Sequence, residues 1–168
     1  MKHITVLFLI LITTARVYGD INLKSIIEGS FVSITEVNPV SEINNKWIKV
    51  SLKHQRIYCF EGEKLIYKFK VSTGTSRHRT PLMTTQIISK RKMAYSRRYH
   101  AYMPYWMQIS SDGGYGLHSS PLTRSKKPMG LNLLGRPASH GCVRIDPKGA
   151  PIIFKWAPVG TKVMIVKE

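Results

Sequence analysis

Acidic residues are scarce in this chain. Nine Asp and Glu stand against 26 Lys and Arg in 168 residues, a formal net charge of +17 at pH 7. Cysteine is scarcer still, with only Cys59 and Cys142. No CxxC, HExxH or comparable ligand spacing occurs, so the sequence excludes the usual zinc patterns and implies no metal. Cys59 lies in the strand-like run Arg56-Ile57-Tyr58-Cys59-Phe60 and reads as a small buried apolar side chain rather than half of a disulfide. Long apolar runs are also missing. The longest, Ile4 to Ile12, is too short for a comfortable membrane span. Preceded by Lys2 and followed by Val17-Tyr18-Gly19, it reads as a signal peptide over residues 1–19, with an uncleaved anchor as the alternative. No cysteine follows the run, which argues against a lipid-anchored lipoprotein. An exported chain without a transmembrane span in its mature form is the expectation, in a periplasm or cell wall. There is no internal repeat, low-complexity tract or heptad pattern.

The charge is unevenly distributed. Between Lys64 and Ser111 there is no acid, while Lys90-Arg91-Lys92 and Arg97-Arg98 are interleaved with Tyr95, Tyr99, Tyr102, Tyr105 and Trp106. Two readings fit an exported chain: a solvated basic face, or attraction to anionic envelope polymers and headgroups. A dedicated nucleic-acid site is not expected, although the composition alone would suit one.

Period-2 alternation dominates what remains. Ile48, Val50 and Leu52 alternate with polar neighbours, as do Leu65, Tyr67, Phe69 and Val71, and Val163 and Ile165. These are half-buried strands, with Glu61-Gly62-Glu63 as a hairpin turn between two of them. Helical signal is sparse. Asp146-Pro147 suggests an N-cap and first helical position for a short helix ending at Trp156. Residues 20–45 form a polar lead-in. The fold class is mainly β: one β-sandwich domain over residues 46–168, with long loops and one or two short helices. Its 43% apolar composition suits a single core.

Chemistry concentrates in two segments. Ser139-His140-Gly141-Cys142-Val143-Arg144 places a cysteine two residues from a histidine, and Gly116-Leu117-His118-Ser119 supplies another histidine 24 residues before the cysteine. A thiol nucleophile needs a base and backbone donors for an oxyanion, and these segments contain all three.

These residues resemble the YkuD-type L,D-transpeptidases. The likeness extends to Val71-Ser72-Thr73-Gly74 with Thr80-Pro81, to Met103-Pro104-Tyr105-Trp106-Met107 and to Gly160-Thr161-Lys162-Val163. It departs from the family pattern at Leu82-Met83, where a glycine is usual, at Ser119, and in a loop lengthened around Arg124 to Pro128. The resemblance implies that Cys142 is the nucleophile, His118 the general base and Ser119 the group that orients its imidazole. Backbone N–H groups around Gly141 and Cys142 would form the oxyanion hole. His140 would orient the loop or meet substrate. Arg144 would bind a substrate carboxylate or pair with Asp146. Ser139, Tyr105 and Trp106 are further substrate-binding candidates, the last two equally suited to a core. His54, His78 and His100 read as ordinary surface histidines.

The implied reaction is attack of Cys142 on the bond between the diamino acid and D-alanine of a peptidoglycan tetrapeptide stem. The thioester then passes to an amine, giving a 3→3 cross-link or an anchored protein, and no cofactor is needed. Alternatives are an L,D-carboxypeptidase, another envelope cysteine peptidase, or a non-catalytic protein that binds wall or polyanion.

Overall fold

A computed structural model of the chain describes residues 45–168. The expected leader, and the lead-in apart from Asn45, lie outside the described residues. The elements in order are β1 (Lys46–Ser51), β2 (Arg56–Glu61), β3 (Lys64–Ser72), β4 (Met83–Gln86), β5 (Ser89–Ser96), β6 (Ala101–Gln108), β7 (Gly116–Ser119), β8 (Val143–Ile145), α1 (Ala150–Trp156) and β9 (Lys162–Val166). A single 3-10 turn covers Leu131–Leu133. No helix among the described residues is long and apolar enough to cross a membrane.

The mainly β expectation holds. The strands form one nine-stranded sheet in the order β4-β9-β1-β2-β3-β8-β7-β6-β5. The sheet curls, so the two layers of the expected sandwich are halves of one sheet joined at β3. That strand pairs with β2 through six residue pairs and with β8 only at Val71 and Ser72. Apolar side chains from both halves meet in one core. Ile48, Val50, Ile57 and Cys59 come from one half, Met107, Leu117, Val143 and Ile145 from the other, and Ile153 from α1. Each large side chain here is essentially inaccessible, and burying one contributes roughly 1.5–3 kcal/mol. The alternation read in β1 and β9, and in β3 at Tyr67, Phe69 and Val71, is therefore the imprint of a sheet with one face on this core, while Leu65, past the register shift opposite Cys59 and Phe60, is exposed instead. The hairpin at Glu61-Gly62-Glu63 also forms, with β2 ending at Glu61 and β3 starting at Lys64.

The helix starts later than its expected N-cap. Gly149 occupies the N-cap position and Pro151 the first turn. Asp146 instead closes the preceding turn. Its Oδ1 accepts from Lys148 N at 2.9 Å, and its carbonyl accepts from Gly149 N and Ala150 N, both at 2.9 Å. The start is set by packing: a Cβ at Gly149 would lie 2.4 Å from Phe69 Cγ, so only glycine allows α1 to sit this close to β3.

Lys90 leaves the basic face to which its sequence neighbours belong. Its Nζ donates to Phe154 O at 2.5 Å and Ala157 O at 2.6 Å, and lies 4.5 Å over the Phe154 ring. These are end-of-helix carbonyls with no partner within the helix, and a cation is the natural group to satisfy them. Burial lowers the Lys90 pKa.

Candidate active site

Strand register assembles the site. β7 and β8 are parallel neighbours with His118 opposite Arg144 and Leu117 opposite Val143. Cys142 immediately precedes β8, so pairing brings the two motifs, 24 residues apart in sequence, to one end of adjacent strands. Both side chains line a cleft of about 630 Å³, together with Arg144, Trp106, Tyr115 and Tyr99 among others.

His118 is only 3% exposed. Its Nδ1 lies 2.6 Å from Ser119 O. A carbonyl only accepts, so Nδ1 carries the proton and Nε2 is the free basic nitrogen. Ser119 thus meets the imidazole through its main chain. Burial pulls the His118 pKa down to about 4, with the nearby Arg144 charge acting the same way and the Ser119 hydrogen bond opposing both. The Trp106 ring lies 5.8 Å from the imidazole, tilted by 31°. The Cys142 thiol is partly exposed and unbridged, 3.8 Å from Gly114 O. Burial raises its pKa above the ordinary thiol value while the Arg144 charge lowers it. The cleft therefore holds a neutral thiol and a neutral imidazole at neutral pH.

The nucleophile loop is braced from within. Ser139 is 2% exposed, and its hydroxyl donates to Cys142 O at 2.5 Å and accepts from Gly141 N at 3.0 Å. That hydroxyl bridges two points of the loop, and Ser139 also lines the cleft. The Gly141 N–H is thereby committed and is not a free oxyanion donor. Gly141 has φ +118°, and a Cβ there would lie 2.8 Å from Tyr115 Cε1. No other residue meets both demands.

Two supporting residues were not singled out for a role in the sequence. Thr80, 4% exposed, accepts from Gly74 N at 2.8 Å and donates to Gly141 O at 2.7 Å. Gln55, 3% exposed, bonds both Thr73 N and Thr73 Oγ1, and Thr73 O in turn accepts from Ala138 N and Ser139 N. The only available signal was the Thr80-Pro81 segment itself; nothing in the sequence marks Gln55.

Other expectations change. Tyr105 does not line the cleft. It has φ +56° and packs edge-on against Phe154 of α1 at 5.6 Å. Trp106 does line the cleft, although it is only 8% exposed. Arg144 lines the cleft and does not pair with Asp146. Among the described residues the ion pairs are Lys46–Glu61 and Lys49–Glu168. His140 is exposed and lies between His78, at 4.8 Å, and Tyr99, at 4.7 Å. His78 is exposed at the surface, as expected, with its ring next to that of His140. The long loop folds onto itself, with Met129 N donating to Pro121 O at 2.8 Å and Thr123 N to Lys127 O at 2.9 Å. Pro121 and Met129 at its base line the cleft, while Arg124 to Pro128 at its tip are exposed. Cys59 is fully buried and unbridged. No three His, Cys, Asp or Glu groups converge as a metal set among the described residues.

A partly exposed thiol and a buried imidazole of fixed tautomer in one cleft of a mainly β sheet are the groups that cysteine acyl-transfer domains require. The chain belongs to the YkuD family: the model of the L,D-transpeptidase catalytic domain matches residues 45–165. It is 33% identical over 125 residues to YciB of Bacillus subtilis (strain 168), which carries a provisional L,D-transpeptidase designation. That match covers 71% of this chain and 64% of YciB, so the chain spans just under two thirds of that relative. An L,D-transpeptidase structure from Stackebrandtia nassauensis is 25% identical with a TM-score of 0.60, over 86% of this chain and 64% of that one. The LD transpeptidase LdtMt1, solved in complex with imipenem, is 18% identical with a TM-score of 0.64, over 73% of this chain and 59% of that one.

Proposed function

We propose that this chain is a peptidoglycan L,D-transpeptidase of the cell envelope. The observation that carries the reading is His118, held as its Nε2-basic tautomer by Ser119 O, in the same cleft as the thiol of Cys142. Cys142 Sγ attacks the carbonyl carbon of the diamino acid's L-centre while His118 Nε2 takes the thiol proton. The C–N bond breaks, D-alanine leaves as an amine carrying that proton, and a thioester remains. An acceptor amine attacks the thioester, its proton passes through His118 to the departing sulfur, and the new amide is released. With the Gly141 N–H committed, the Cys142 N–H is the loop donor assigned to the oxyanion. Arg144, a cation without a carboxylate partner within 4.0 Å among the described residues, is assigned to a carboxylate of the stem. Peptidoglycan lies outside the cytoplasm, so this reading goes together with an exported chain.

The test is intact-mass spectrometry after incubation with imipenem, whose strained lactam carbonyl is open to thiol attack. One acyl mass on the wild type and none on Cys142→Ala is the expected result. No adduct on folded wild type would overturn the assignment. Tetrapeptide stems with and without an amine acceptor then decide between transfer and hydrolysis. Water alone as acceptor would make the chain an L,D-carboxypeptidase.

A further inference from the structure

Three segments converge outside the catalytic pair. The β5–β6 turn contributes Arg97, Arg98 and Tyr99. The loop between β3 and β4 contributes Arg77, His78 and Arg79. The Cys142 loop contributes His140, whose ring meets one from each of the other two: Tyr99, 30° between planes, and His78, tilted by 57°. Arg98 sits 5.7 Å from the Tyr99 ring and, like Tyr99 and His140, lines the cleft. All four arginines are exposed, and none has a carboxylate within 4.0 Å, since the ion pairs among the described residues both use lysines of β1. The groups feel one another. The His140 pKa is lowered first by partial burial and then by the charges of His78, Arg144 and Arg98.

We infer that this cationic platform beside the cleft binds a phosphodiester wall polymer, holding the enzyme on the envelope material that its substrate belongs to. Two observations select this class of polyanion. First, the exposed Tyr99 and Tyr95 rings each already have a ring neighbour. Tyr99 stacks on His140, and Tyr95 lies 4.9 Å from Tyr102. Nucleic-acid sites for single strands instead offer open ring faces to bases. Second, the large exposed aliphatic side chains on the platform's segments and the adjoining β5 are Leu82 and Met93, one on each, and two scattered side chains do not make the continuous apolar face that enters a bilayer. What the platform offers is unpaired guanidinium groups, which form forked hydrogen bonds to phosphate oxygens. The choice of a wall polymer over other phosphodiesters rests on the transpeptidase reading; the presence of a polyanion site does not.

The experiment measures binding of the full chain to poly(glycerol phosphate) across a salt series, beside double-stranded DNA and anionic lipid vesicles. One variant is Arg77→Ser with Arg97→Ser. The control, Lys53→Ser with Lys155→Ser, removes the same charge elsewhere. The platform variant is expected to lose about tenfold or more in affinity and about two units of salt slope. The control should lose less than about twofold. Equal losses in both variants would reduce the effect to net charge and overturn the inference. Tighter wild-type binding to DNA or vesicles than to poly(glycerol phosphate) would overturn the choice of partner. Imipenem acylation of the platform variant is measured in parallel and should match wild type, which also shows that it folds. Loss of polymer binding with acylation intact, or the reverse, tells apart a failed platform and a failed transpeptidase reading.

Discussion

A buried histidine with a depressed pKa makes a statement about stability as well as catalysis. His118 binds a proton near pH 6.5 when exposed and near pH 4 in the fold. Between those values the unfolded chain holds more protons, so stability falls as pH falls through that window and is fully present above it. The expected loss is at most about 3 kcal/mol. A Tm series should show a drop from about pH 6.5 towards 4, and His118→Asn should flatten it. Cys142 makes a second prediction. Its thiol is held above the ordinary value, so alkylation by iodoacetamide should keep rising with pH beyond 9. A cysteine paired with an imidazolium would instead level off below neutrality. Cys59, pushed up to about 12 by burial, should stay unmodified until the chain unfolds. Equal labelling of both cysteines in folded protein would refute this picture.

At the scale of elements, loops are held by a few buried polar bridges. Thr80→Val removes the hydroxyl between Gly74 N and Gly141 O and leaves both without that partner. The expected cost is about 1–3 kcal/mol, with imipenem acylation slowed more than a stability loss of that size explains. Lys90→Met keeps the stem packed on Phe154 but abandons two helix-end carbonyls, and should lower stability by about 1–2 kcal/mol with acylation unchanged. These bridges also mark where sequence reading stops. The strands around Ile48, Phe69 and Val163 were legible because one face meets the core and the pattern repeats every second residue. β6 was not, because Tyr105 takes a positive φ and places Trp106 and Met107 both in buried positions. Cys142 and His118 were legible because each sits in a short motif of distinctive composition. Gln55 and Thr80 were not, because their roles depend on partners as much as 61 residues away, which no local pattern reveals.

At the scale of the whole described domain, the sheet is strongly cationic, with two ion pairs among the described residues. Like charges on the described surface repel, and added salt screens them over about a Debye length. Raising ionic strength from about 0.01 M to about 0.15 M should therefore raise Tm; a fall would mean that the Lys46–Glu61 and Lys49–Glu168 pairs outweigh the repulsion. The sheet order carries one more consequence. β9 lies between β1 and β4 and is parallel to β1, so the strand made last fills a slot beside the strand made first among those described. A ribosome-bound chain short of Lys162 leaves β1 half paired and β4 without its neighbour. Folding of that half therefore waits until Lys162–Val166 has been made, and a stop codon before Lys162 should yield a protease-sensitive chain even though every residue of the cleft is already present.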